Sequence, residues 1–175
     1  MNLPFSTKWK DGTPTNFIEK IIHSLHLFTN LDEELKDYLN KYEEKFGQKL
    51  IVLQGHIPKQ HTIRHKRTGR NQWKVGSNIH FCINNRSKNY FRFAPVIPVV
   101  SIQDIKIFYL GVNKEIVNII IDGKTYYHGF LELSYNNERM INLSSSDGFD
   151  TVESFFEWFN SDFDGELIHW TDLKY

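Results

Sequence analysis

Residues 59–64 read KQHTIR, residues 73–76 read WKVG, and residues 79–83 read IHFCI. In the last of these, Ile79, Phe81 and Ile83 alternate with His80 and Cys82, the period-two pattern of a strand with one buried face. Gly76 supplies a turn just ahead of it, and KQHTIR reads as a short strand that runs into a basic loop. Strand, basic loop, glycine turn and strand in that order set the frame for the flanking sequence.

Downstream the period stays near two. Ile105, Ile107 and Tyr109 alternate with Asp104, Lys106 and Phe108, and Val117, Ile119 and Ile121 lead to Asp122-Gly123, a strong hairpin signal. The returning strand is expected over 126–133. Pro95 and Pro98 are expected to mark an edge or a bulge. Asp150 and Glu153 form a capping-box pattern for a helix carrying Val152, Phe155, Phe156 and Phe159, and Asp164-Gly165 reads as a turn before a final strand at 167–173.

Upstream the period is helical. Thr13 or Thr15 caps a first helix, with Pro14 allowed in its first turn, and Phe17, Ile18, Ile21, Ile22, Leu25 and Phe28 form its apolar stripe. Asn30 caps a second, whose stripe runs Leu31, Leu35, Tyr38, Leu39, Tyr42 and Phe46 until Gly47 ends it. The pattern predicts an α+β fold. Several short alternating strands leave open edges, so closure into a small β-barrel with the helices packed outside is expected.

The chain has 175 residues, of which 15% are aromatic, too many for a disordered chain and enough for one sizeable core. A single domain over 1–175 is expected. One cysteine, Cys82, cannot form an internal disulfide and points to a reducing, cytoplasmic setting. The start has no apolar leader pattern, and no apolar run is long enough to span a bilayer, so no membrane association is expected.

Formal net charge is zero, but the charges are segregated. Between residues 47 and 103 there is no Asp or Glu, while Lys49, Lys59, Arg64, Lys66, Arg67, Arg70, Lys74, Arg86, Lys88 and Arg92 all fall there. Between 147 and 172 there are Asp and Glu residues without one Lys or Arg. If the basic stretch gathers on one face, its field attracts phosphates; if the two stretches lie side by side, they neutralise one another.

At Lys59/Thr62/Arg64 and Trp73/Lys74/Gly76 the sequence resembles the ASCH family, domains related to the PUA-like barrels that bind RNA. The family's first helix resembles 17–25, and its later Gly-Phe element followed by a helix resembles Asp147-Gly148-Phe149 with 151–160. The resemblance implies an ASCH-like, PUA-like small barrel. It departs from the family at the second helix, a helical insertion at about 29–47, at His56-Ile57-Pro58-Lys59, and in a longer β region between 112 and 143.

The resemblance implies an RNA- or nucleotide-binding module with a pocket around Lys59, Thr62, Arg64 and Asp147. One branch is a bacterial amidohydrolase of N4-acetylcytidine; by its pattern Thr62 is the nucleophile, Lys59 the base and Asp147 the acid, where the branch carries Glu. A threonine hydroxyl needs such a base, and an amine serves only where burial or nearby cations lower its pKa. A third alternative, a protein-interaction module, rests on the aromatic, acidic C-terminal stretch.

For nucleic acid, Arg64 offers a planar fork that suits phosphate, and Lys66, Arg67, Arg70, Lys74 and Arg86 extend the positive cluster. Trp73 and Tyr90, expected to be partly exposed, offer rings for base stacking, whereas Phe91 reads equally as core or surface. Trp158 reads as lying off the buried stripe of its helix. His56, His61 and His65 lie close in sequence, but a strand-and-loop segment does not gather them, so neither a metal nor a cofactor is expected.

Overall fold

The alternation at 79–83 becomes strand β3 (Asn78–Ile83) in a computed structural model that describes residues 1–52, 55, 57–69 and 72–175. His56 and Arg70, both singled out in the sequence, lie outside the described residues. The fold is mixed α+β and divides into two compact units: Met1–Lys59 with Gly76–Pro98, and Gln60–Val75 with Val99–Tyr175. No helix among the described residues is long and apolar enough to cross a membrane.

In the first unit β3 is the central strand. It pairs in parallel with β1 (Asn2–Pro4), and antiparallel with β4 (Phe91–Arg92) and β5 (Ile97–Pro98). Helix α1 (Phe17–Phe28) buries the expected Phe17, Ile18, Ile21, Ile22 and Leu25, and the Thr15 hydroxyl accepts the Phe17 N–H at 3.3 Å. Rings of Phe5, Phe81 and Phe93 fill the core at centroid separations of 6.0–6.2 Å. Helix α2 (Asp32–Phe46) starts after Leu31 rather than Asn30 and ends, as expected, at Gly47 with φ +70°. Tyr42 and Phe46 pack edge-on against Phe91 at 5.8 and 5.6 Å, which makes Phe91 the anchor of α2.

The second unit holds a five-stranded antiparallel sheet in the order β2-β9-β6-β7-β8. Its strands are β2 (His61–His65), β6 (Ser101–Leu110), β7 (Ile116–Ile121), β8 (Lys124–Phe130) and β9 (Phe163–His169). The Asp122-Gly123 hairpin forms between β7 and β8 with both residues at positive φ, as a two-residue primed turn requires. Ile105, Ile107, Val117, Ile119 and Leu167 are fully buried, and Phe149, Phe155 and Phe159 of the C-terminal aromatic stretch are buried as well.

Several expectations are corrected. The strand expected over 126–133 stops at Phe130 and is followed by the short helix α3 (Leu131–Ser134). Within the supposed β region lies helix α4 (Glu138–Ser146), whose start is fixed by the Asn137 side chain accepting the Arg139 and Met140 N–H groups at 3.1 and 3.3 Å. The capping box of helix α5 (Val152–Trp158) uses Thr151 and Ser154 instead of Asp150 and Glu153.

No ring of strand pairing closes among the described residues, so the expected closed barrel is not found. The edges are handled in other ways. Beside β2, the Gln60 N–H donates to the Ser146 carbonyl at 2.8 Å and the Ile63 N–H to the Asp147 carboxylate at 3.2 Å, so the end of α4 satisfies that margin. At the other margin β8 exposes Lys124, Thr125 and His128, a polar edge that does not require a partner strand.

Asp164-Gly165 is not a turn. Both residues lie inside β9, with Gly165 opposite His65 on one side and Ile105 on the other. A Cβ on Gly165 would stand 2.3 Å from the Arg64 carbonyl oxygen and 2.3 Å from the Phe163 ring, so glycine is there for close approach. Gly165→Ala should therefore lower the unfolding free energy by about 1–3 kcal/mol, the usual range for overpacking. Chemical denaturation checks this; an unchanged midpoint would mean that the strand has room for the methyl group.

Candidate functional site

Strand β2 carries most of the residues singled out at 59–64, and its register with β9 fixes their neighbours. Thr62 stands opposite Ile168 and Arg64 opposite Glu166. Thr62 is buried within the sheet, 3% exposed, while Arg64 is half-buried. Asp147 is also 3% exposed and sits at the C-terminal end of α4, followed by Gly148 at φ +91°. Its carboxylate accepts the Ile63 N–H and lies 3.7 Å from Nδ1 of His61. The carboxylate thus rests on the strand that bears Thr62, with residues 84 apart in sequence in direct contact.

Lys59 ends the first unit, and is buried there, not solvated. Its backbone N–H donates to the Lys20 carbonyl at 3.0 Å, and its ammonium lies 4.8 Å from the centre of the Phe17 ring and 5.8 Å from that of Phe5. An ammonium over ring faces is stabilised by the ring quadrupole, which partly compensates its removal from water.

The basic loop is only partly available as a positive surface. Lys66 lies 3.0 Å from an Asp104 oxygen and 3.7 Å from one of Asp164, and these bonds, Asp104 first, raise its pKa. Here the neutralising alternative holds, because Asp164 belongs to the acidic stretch. Trp73 is 4% exposed and its ring is covered by the Arg67 guanidinium at 5.2 Å, which corrects the expectation of an open stacking platform. Lys74 is exposed. In the first unit Arg86, at φ +64°, and Tyr90, 37% exposed, lie in the segment between β3 and β4.

Sequence reading missed a buried polar row that crosses the second sheet. His61 of β2, His169 of β9 and Ser101 of β6 stand directly opposite one another, all buried. The two imidazoles lie 5.1 Å apart, and Nε2 of His61 is 2.7 Å from the Tyr175 hydroxyl. Gln103 holds Tyr175 in place by accepting its N–H at 3.0 Å and donating to its carbonyl at 2.9 Å. Burial pushes the Tyr175 phenol well above its ordinary pKa, so it is a neutral hydroxyl. Three rows along, Arg64, Glu166 and Asp104 are likewise opposite, and burial raises the Glu166 pKa while Lys66 and Arg67 draw it down.

Among the described residues no group of three or more His, Cys, Asp or Glu side chains is placed to hold a metal ion. No family model matches the chain, and no curated protein or solved structure matches it either.

The buried row dictates a pH dependence. Burial, with a smaller contribution from Lys174 against an opposing one from Asp122, lowers the His169 pKa from 6.5 to about 4. The unfolded chain takes up this proton near 6.5, whereas the folded imidazole stays neutral down to about 4. Stability from this group is therefore full above about 6.5 and lost as pH falls towards about 4, by about 3 kcal/mol at roughly 1.4 kcal/mol per pH unit. Unfolding free energies measured across that window should fall steeply for the wild type and less so for His169→Gln, which cannot titrate. Parallel pH profiles of the two proteins would refute this assignment.

Proposed function

We propose that the chain is an ASCH-like, cytoplasmic module that binds RNA or a nucleotide through the basic side chains between β2 and β3. The observation that carries this reading is the contact of Asp147 with the Ile63 N–H at 3.2 Å, which joins the Thr62-x-Arg64 segment to the later Asp147-Gly148-Phe149 segment. These are two of the segments on which the family resemblance rests. The proposed kinship is with PUA-like small barrels carrying a helical insertion, and it rests on motif order together with that contact.

Binding is favoured over hydrolysis by the state of the reacting groups. The Thr62 side chain is buried in strand pairing, and the Asp147 carboxylate is committed as an acceptor to backbone and faces His61. An acid that must donate a proton to a leaving amine is poorly served by a carboxylate already engaged as the acceptor of a backbone N–H. The guanidinium of Arg67, 5.2 Å from the centre of the Trp73 ring, and the exposed side chain of Lys74 are instead disposed to meet phosphate, alongside half-buried Arg64.

Titration of single-stranded and duplex RNA at low and moderate salt should reveal binding that weakens steeply as salt rises. Arg64→Glu combined with Lys74→Glu should abolish it, and Lys74→Ala alone should reduce the log–log salt slope by about 1. Absence of binding to either RNA would reject this reading. Incubation with N4-acetylcytidine should release no cytidine; release that Thr62→Ala removes would favour the amidohydrolase instead.

A further inference from the structure

The margin of the second unit's sheet near the β6–β7 turn is apolar and open. Leu110, Ile116 and Phe130 are opposite one another across β6, β7 and β8. Val112 in the turn is 98% exposed, Leu133 69% and Phe130 55%. Beside them is a cavity of about 580 Å³ lined by Lys114, Glu115, Phe130, Glu132, Leu133 and Tyr135, among others. A cluster of large apolar side chains around a concavity marks an interaction surface more often than isolated exposed residues do.

The rim has a definite sign. Glu115 and Glu132 line the cavity itself, and Glu153, Glu132 and Glu157 act on the phenol of Tyr135 in its wall, whose pKa is raised first by burial and then by these carboxylates. Glu153 and Glu157 sit on α5, in the stretch from 147 to 172 that has no Lys or Arg. Lys114, the cation of the cavity wall, donates its ammonium to the Asn160 carbonyl at 3.1 Å. The surface is apolar at its centre and acidic around it.

We propose that this face docks a cationic polypeptide segment in which lysines or arginines flank one or two large apolar side chains. Charge complementarity selects the occupant. A nucleic acid or an anionic lipid surface would bring its phosphates against Glu132, Glu153 and Glu157. A second copy meeting the same face isologously would set these carboxylates against their own equivalents. A basic, apolar-anchored segment satisfies the rim and fills the cavity together. The proposal is independent of the nucleotide-binding reading, which uses the opposite end of the charge distribution.

The test is fluorescence anisotropy of the full chain with two labelled amphipathic helical peptides, one pairing leucines with lysines and the other leucines with glutamates. The lysine peptide should bind and the glutamate peptide should not. Phe130→Ser with Leu133→Ser, and separately Glu132→Lys with Glu157→Lys, should each weaken binding at least about tenfold. Val75→Ser, which alters an apolar side chain 66% exposed elsewhere in the unit, should leave it unchanged. All of these positions are exposed, and thermal unfolding verifies that the variants keep the fold. Equal binding of both peptides, no binding of either, or full affinity in the two double variants would overturn the proposal. So would a concentration-dependent dimer in sedimentation that Phe130→Ser with Leu133→Ser dissolves.

Discussion

A buried strand margin must find partners for its backbone N–H groups, and in the second unit that requirement falls on the segment leading into β2. The Ser146 carbonyl and the Asp147 carboxylate meet it. An unpartnered N–H in such a place costs about 1–3 kcal/mol, so the C-terminal end of α4 is tied to the segment by more than packing. Much else is arranged around this constraint. It brings Asp147 close to His61, sets His61 toward Tyr175, and carries the chain through Gly148 into the aromatic helix α5. The sheet thereby keeps its short, polar strand β2 without needing a further strand to cover it.

The segregated charges of the sequence have two different fates. Lys66 is drawn into the acidic system through Asp104 and Asp164, and Arg67 lies over Trp73. Lys74 remains exposed. Within the second unit, acidic and basic stretches are therefore partly interlocked, and what is left over on each side has a particular local setting. Glu166 shows the tension between them, since burial favours its neutral form while Lys66 and Arg67 favour its charged one.

How much was legible depended on how local the determining physics is. Asp122-Gly123 and Gly47 were readable because positive φ is a property of the residue and its immediate neighbours. The period-two run at 79–83 and the stripe of α1 were readable because one face of each is buried. Helix α4 was not, since its buried apolar residues are only Met140 and Leu143, with serines filling the remaining inward positions. Gly165 was misread because the same letter serves a turn and a close approach, and only the Arg64 carbonyl across the ladder distinguishes them. The burial of Trp73 and Lys59, and the facing of His61 by His169, depend on partners that no local pattern reveals. Of the candidate site, the contact of Asp147 with the Ile63 N–H joins residues 84 apart in sequence, and the imidazole row was not anticipated at all.

The position of β9 has a consequence for the order in which the protein can assemble. It comes last among the described strands, yet it lies between β2 and β6 and is hydrogen-bonded to both. As the polypeptide leaves the ribosome, β6, β7 and β8 can pair as a local meander, but β2 has no strand to join until residues 163–169 have appeared. At synthesis rates of about 5–20 residues per second, the 61–65 segment waits for several seconds with its ladder groups unmet. The polar His-Thr-x-Arg-His character of that strand suits such a wait, because a more apolar strand left open for as long would be a template for pairing with another nascent chain.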